Sequence, residues 1–198
     1  MSGGAGDAMA LRVLAVADIH GHRALLRMIQ QEMIQHTPDV TIVAGDLTSY
    51  GDAVEVQRVL DAIPGRVLAI PGNLDLRRAF DAGIAKSHAE SLVGKQIEIR
   101  GMRIAGLFDQ LTACEILVVH EPPVGLLDDV GRGRHIGFPE HFRALDRLRP
   151  RVLLCGHCHE SPGVVTYGGT TVVNCTLGSG GHGALVELDG DLVAARLL

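Results

Sequence analysis

The chain has 198 residues, 46% of them hydrophobic, and includes four cysteines. That length can bury a substantial core, and so few cysteines do not make the disulfide framework of a small secreted domain. Tryptophan is absent, aromatics are 3% of the chain and the formal net charge is −5, so neither a base-stacking surface nor a basic groove for generic DNA or RNA binding is expected.

Residues 1–10, MSGGAGDAMA, lack the basic start and apolar stretch of a signal peptide. They are expected to form a disordered leader before a single domain over 11–198. No apolar run approaches the roughly 18 residues of a membrane span, and the expected location is cytoplasmic. Residues 11–17, LRVLAVA, predict a buried strand that ends at Asp18. Leu25, Leu26, Ile29 and Met33 fall at helical spacing and predict a helix over 23–36. Residues 40–44 predict a second strand, 52–63 a second helix, and 66–70 a third strand. This alternation argues for a largely parallel sheet.

Beyond Asp75 the pattern changes. The segment 76–83, LRRAFDAG, is expected to be helical, with Asp75 as its N-cap. QIEIR and MRIAGL alternate around Gly101 and predict a hairpin. Residues 115–120 predict a buried strand, 121–137 a long loop, and 139–148 a helix that Pro139 can start. Residues 151–155 predict another buried strand. Two further hairpins turn at Gly168-Gly169 and Asp189-Gly190. Arg77 and Arg78 fall either near the functional rim or on a helix surface.

Five of these strands end in polar clusters: Asp18 and His20, Asp46, Asn73, His120, and His157 with His159. In open α/β sheets the carboxyl ends of strands share a rim where ligands bind. Carboxylates and imidazoles with one amide oxygen suit divalent Mn, Fe, Zn or Ni. Each piece has a plainer meaning when taken alone. Asp18 and His20 can be turn or cap residues, Gly45-Asp46 a turn, Asn73 a left-handed position, and His120 a structural histidine. The ordered set is much more specific than any member.

That set, Asp18-Ile19-His20, Gly45-Asp46, Gly72-Asn73, His120 and Gly156-His157-Cys158-His159, resembles the signature of the calcineurin-like metallophosphoesterases, in their small prokaryotic form. The resemblance runs from residue 11 to about residue 174. It implies an α/β fold, a four-layer α/β/β/α sandwich of two packed mixed sheets flanked by helices. It implies two divalent metal ions, Mn²⁺ first and Fe, Zn or Ni as alternatives. Asp18, His20, Asp46 and His159 would hold one ion; Asp46, Asn73, His120 and His157 would hold the other. The implied activity is hydrolysis of a small phosphate ester, a diester more than a monoester, by in-line attack of a metal-bridging hydroxide. Asp46, Asn73 and His120 would be the catalytic residues. Many members carry a histidine after the Asn, which assists the leaving group; here that position is Leu74. His22, Arg134 and His135 are candidate substrate contacts. An alternative is a weakly active or inactive metal-binding interaction scaffold of the same fold. A homo-oligomer is compatible with the sequence.

Cys155 and Cys158 form a Cys-x-x-Cys pair, which raises a redox alternative. A reactive first thiol usually sits at a helix N-terminus, whereas Pro162 and Gly163 follow here and prevent a helix. Cys114 and Cys175 do not supply the second pair of a zinc knuckle. Cys155 is therefore expected in the core and Cys158 turned away from the metals. His182 is expected to be a loop residue.

Overall fold

The computed structural model describes residues 10–198. The expected leader, apart from Ala10, lies outside the described residues. The first half alternates as anticipated through β1 (Leu11–Val16), α1 (Arg23–His36), β2 (Val40–Ala44), α2 (Ala53–Asp61), β3 (Val67–Ile70) and α3 (Arg77–Ile84), and ends in β4 (Glu90–Ser91). The second half is β5 (Gln96–Ile99), β6 (Met102–Gly106), β7 (Ile116–Val118), α4 (Pro139–Leu148), β8 (Val152–Cys155), β9 (Gly163–Tyr167), β10 (Thr170–Asn174), β11 (Ala184–Asp189) and β12 (Leu192–Leu197).

Two six-stranded sheets result, ordered β12-β11-β1-β2-β3-β4 and β5-β6-β7-β8-β10-β9. In the first, β1, β2 and β3 run parallel, and β11 joins β1 antiparallel. In the second, β6, β7 and β8 run parallel. Every residue of β2 is buried, which is why its sequence is a continuous VTIVA run and not an alternating one.

Three apolar layers separate the elements. The inner one packs sheet on sheet through Val13, Ile42, Leu68, Ile104, Val118 and Leu154. Outside the first sheet, Leu26 and Ile29 of α1, Val56 and Leu60 of α2, and Phe80 of α3 pack on Leu14, Val43 and Ala69. Outside the second sheet, Ala144, Leu145 and Leu148 of α4 pack on Leu117 and Leu153. Full burial of one such leucine or phenylalanine contributes about 1.5–3 kcal/mol. The expected four-layer α/β/β/α sandwich is the observed architecture.

The two sheets meet at one rim. Ala17 just past β1 pairs in parallel with Thr176 just past β10. The Ala17 amide donates to Cys175 O at 3.1 Å, and the Leu177 amide to Ala17 O at 2.9 Å. The chain passes from the second sheet into the first at this seam.

One expectation fails. Asp75 does not cap α3; the cap residue is Leu76, which has no side-chain cap bond. The Asp75 carboxylate instead points inward. It accepts from the amides of Leu47 at 3.0 Å, Thr48 at 2.9 Å and Gly72 at 3.0 Å, and from the Thr48 hydroxyl at 2.9 Å. Three unpartnered amides in neighbouring loops outcompete one helix end for a carboxylate. The two-residue strand β4 is also unforeseen, since its Glu90-Ser91 sequence carries no apolar signal.

Candidate metal centre

The carboxyl ends of β1, β2 and β3 lie along one side of the seam, and those of β7 and β8 along the other. The loops beyond β1 and β2 continue side by side. Asp18 N donates to Gly45 O at 3.0 Å, and His20 N to Asp46 O at 3.0 Å. Across the seam, the His157 amide donates to an Asp18 carboxylate oxygen at 3.0 Å.

All seven residues singled out as ligands come together. Asp18, His20 and His159 offer donor atoms within 4.8 Å of one another, as do Asp18, Asp46 and His120. Asn73 Oδ1 lies 3.0 Å from His120 Nε2 and 2.8 Å from His157 Nδ1. Asp18 and Asp46 stand beside each other, both buried. Among the described residues, neither has a lysine or arginine partner. Their ion-pair partners are imidazoles: His159 at 3.4 Å from Asp18 and His120 at 3.5 Å from Asp46.

The electrostatics follow from that enclosure. Burial works against the charged form of His120, but the carboxylates of Asp46 and Asp18 outweigh it and push its pKa up to about 9. Burial would raise the Asp18 pKa, yet its bond from His159 and the charge of His120 lower it. The Asp18 hydrogen bond raises the His159 pKa, while burial and the nearby His120 charge lower that of His157. Two buried carboxylates thus favour positive charge in the rim.

The ring orientations leave acceptor atoms facing inward. His120 Nδ1–H donates to Ala44 O at 2.9 Å. In the neutral ring its Nε2 then carries a lone pair aimed at Asn73 Oδ1, another acceptor. Two acceptors at that distance need a proton or cation between them. His20 Nδ1 shares a hydrogen bond with Ser49 Oγ at 3.2 Å. Such outer partners are how metal-binding imidazoles are commonly oriented.

The backbone is strained where these side chains project. Of the eleven non-glycine residues with positive φ among the described residues, four are Asp18 (62°), His20 (50°), Asp46 (50°) and His157 (65°). Such conformations cost about 1–3 kcal/mol each and collect at functional sites. Two glycines make room. A Cβ on Gly45, whose φ is +99°, would overlap the His120 ring and lie 2.9 Å from the Gly72 Cα. A Cβ on Gly72 would overlap the Asp46 carboxylate and amide. Buried carboxylates, inward acceptors and glycine-cleared space fit divalent cations.

Among the described residues, the remaining candidates make no hydrogen bond or ion pair with the seven. His22 is exposed at the N-cap of α1 and makes no side-chain cap bond. Arg134 is exposed on a tight turn. Its neighbour His135 is turned to Asp128, with Nδ1 2.7 Å from Oδ1. Among the described residues, no hydrogen bond or ion pair joins Arg134 or His135 to the seven. Cys155 and Cys158 are buried and unpaired, and burial raises both thiol pKa values. They are poor redox thiols.

Three contributors escape the sequence reading. Asp75 ties the loop carrying Asp46 to the loop carrying Asn73. The Leu74 amide donates to Asp46 Oδ1 at 2.8 Å, a main-chain role that no side chain signals. Ser49 stands beside His20, and its only trace is a polar run, Thr48-Ser49, after Asp46.

Known proteins share this arrangement of elements. A structure of the protein TT1561 from Thermus thermophilus matches with a TM-score of 0.67 and 14% identity, covering 96% of this chain and 99% of that one. A structure described as a novel archaeal phosphodiesterase matches with a TM-score of 0.58 and 14% identity, covering 95% and 100%. Among curated sequences, the uncharacterized protein MJ1162 of Methanocaldococcus jannaschii is 26% identical over 194 residues, 83% of this chain and 87% of its own. The UPF0046 protein K07C11.7 of Caenorhabditis elegans is 25% identical over 179 residues, 69% of this chain and 61% of its own. Residues 11–182 match the calcineurin-like phosphoesterase superfamily domain, and the chain belongs to that superfamily.

Proposed function

We propose that this chain is a phosphodiesterase working with two divalent cations, Mn²⁺ first among them. Asp18, His20, Asp46 and His159 hold one; Asp46, Asn73, His120 and His157 hold the other, with Asp46 shared. The observation that carries this reading is the pair of buried carboxylates whose ion-pair partners, among the described residues, are all imidazoles. Family membership and the phosphodiesterase among its structural neighbours support it.

When bound, such a cation pair lowers the pKa of water and offsets the charge of phosphoryl oxygens. The chain's own residues set the geometry. The Leu74 amide and the Asp75-tied loops hold Asp46 between the two halves. Ala44 O fixes the His120 ring. Asn73 turns Oδ1 toward two imidazoles, which leaves Nδ2 to donate to a phosphoryl oxygen. Leu74 offers no proton to a leaving group. Absence of a general acid typically costs 10²–10⁴-fold, so esters with good leaving groups are the favoured substrates.

The test is hydrolysis of a nitrophenyl phosphodiester and the matching monoester by Mn²⁺-loaded protein. The diester is cleaved faster, and Asp46→Ala loses at least about 10²-fold. A second reading, an interaction scaffold of this fold, rests on Leu74. It gains if both esters stay intact while the protein still binds two metals.

A further inference from the structure

A pocket of about 190 Å³ opens beside the metal centre, and His120 forms part of its wall. Its sides include Ile70, Val93 and Leu107, and its polar positions include Arg77 and His141. None of these except His120 belongs to the metal set. At about 30 Å³ per water, the volume equals roughly six waters, the space of one six-membered ring. It falls below the roughly 300 Å³ at which drug-sized ligand pockets begin, so a whole nucleoside does not fit inside.

Neighbouring bonds hold the polar positions in place. His141 Nδ1–H donates to Glu121 O at 2.7 Å, and its ring stacks on Phe138 with centroids 5.4 Å apart. Arg77 Nε contacts both Asp81 carboxylate oxygens, at 2.9 and 2.8 Å. That ion pair balances the guanidinium, and Glu121 on the same wall has no ion-pair partner among the described residues, so the pocket does not call for a second anion. Its apolar sides favour carbon.

We propose that this pocket holds the organic substituent of the phosphate ester, and that the substituent is a non-anionic, ring-sized group. The proposal rests on the phosphoesterase reading of the adjoining centre, which places the phosphoryl group next to His120. Partial burial of a ring against apolar walls favours binding by about tenfold.

The test compares phenylphosphonate with methylphosphonate by calorimetric titration of Mn²⁺-loaded protein, with inorganic phosphate as reference. These probes share the anionic head and need no turnover. Wild type binds phenylphosphonate about tenfold tighter than methylphosphonate. Leu107→Trp fills the pocket and brings the ratio near one without changing methylphosphonate affinity. Val93→Phe is a second plug should Leu107→Trp melt far below wild type. A wild-type ratio near one, or a ratio that survives both plugs, overturns the pocket assignment and leaves the phosphoesterase reading standing. If phosphate and both phosphonates fail to bind the loaded protein, the reading itself falls, and the proposal with it.

Discussion

Asp75→Asn separates two roles that a carboxylate at this position can have. As a helix cap, Asn would serve nearly as well as Asp, and stability would not change. As the inward tie seen here, it must accept four hydrogen bonds. Oδ2 takes the Leu47 and Gly72 amides, and Oδ1 takes the Thr48 amide and hydroxyl. An amide presents one oxygen and one NH₂ group. In its better orientation the NH₂ replaces Oδ1, where the Thr48 hydroxyl can rotate to accept but the Thr48 amide cannot. One buried backbone donor is then orphaned, at about 1–3 kcal/mol. Taking about 2 kcal/mol, and about 2–4 °C per kcal/mol for a chain of this size, the melting temperature falls by about 4–8 °C. Asp75→Ala orphans three amides and falls further. Thermal melts by circular dichroism in metal-free buffer read both. A melting temperature within about 1 °C of wild type for Asp75→Asn refutes the tie and restores the cap.

Three further outcomes follow from the geometry. Gly45→Ala drives a methyl into the His120 ring at a φ of +99°; it abolishes the proposed second metal site, read by Mn²⁺ titration, and lowers stability by at least about 1 kcal/mol. The Asp128–His135 pair gives a pH-dependent contribution. Burial would raise the Asp128 pKa, but the bonds from His135, Gly125 and Gly137 lower it, so that contribution is lost as acid protonates the group. The Asp128 carboxylate raises the His135 pKa, so its contribution is present below the ordinary imidazole value and is lost as pH rises through the folded value. The stability gap between wild type and His135→Ala is therefore widest between about pH 4 and 6.5, and a gap that is flat from pH 4 to 9 contradicts it. Cys155→Ser leaves diester cleavage within about threefold of wild type wherever the fold is retained; loss of activity in a well-folded variant would return the thiols to consideration.

The fold was legible because its central strands are buried on both faces. VTIVA and VLLC read as strands without any alternation to support them, and the amphipathic spacing of 23–36 matched α1. The seven polar residues were legible because each closes an apolar run, and parallel strands carry their carboxyl ends to one rim. What stayed hidden depends on contacts between loops distant in sequence. Asp75 reaches residues 27 and 28 positions away, and the Leu74 amide acts through the backbone, which residue identity does not encode. Asp75 also sits directly before a helical pattern, so local propensity pointed to the wrong partner. The pocket beside His120 joins α3, β7 and α4 residues, and no local pattern announces that meeting.

The most direct measurement is the metal stoichiometry of the purified chain after Mn²⁺ loading and removal of free metal, read by plasma mass spectrometry. The account predicts two ions per chain for wild type and at most one for Asp46→Ala, because Asp46 is shared between both sites. A wild-type chain that retains no metal, or an Asp46→Ala variant that still retains two, contradicts it.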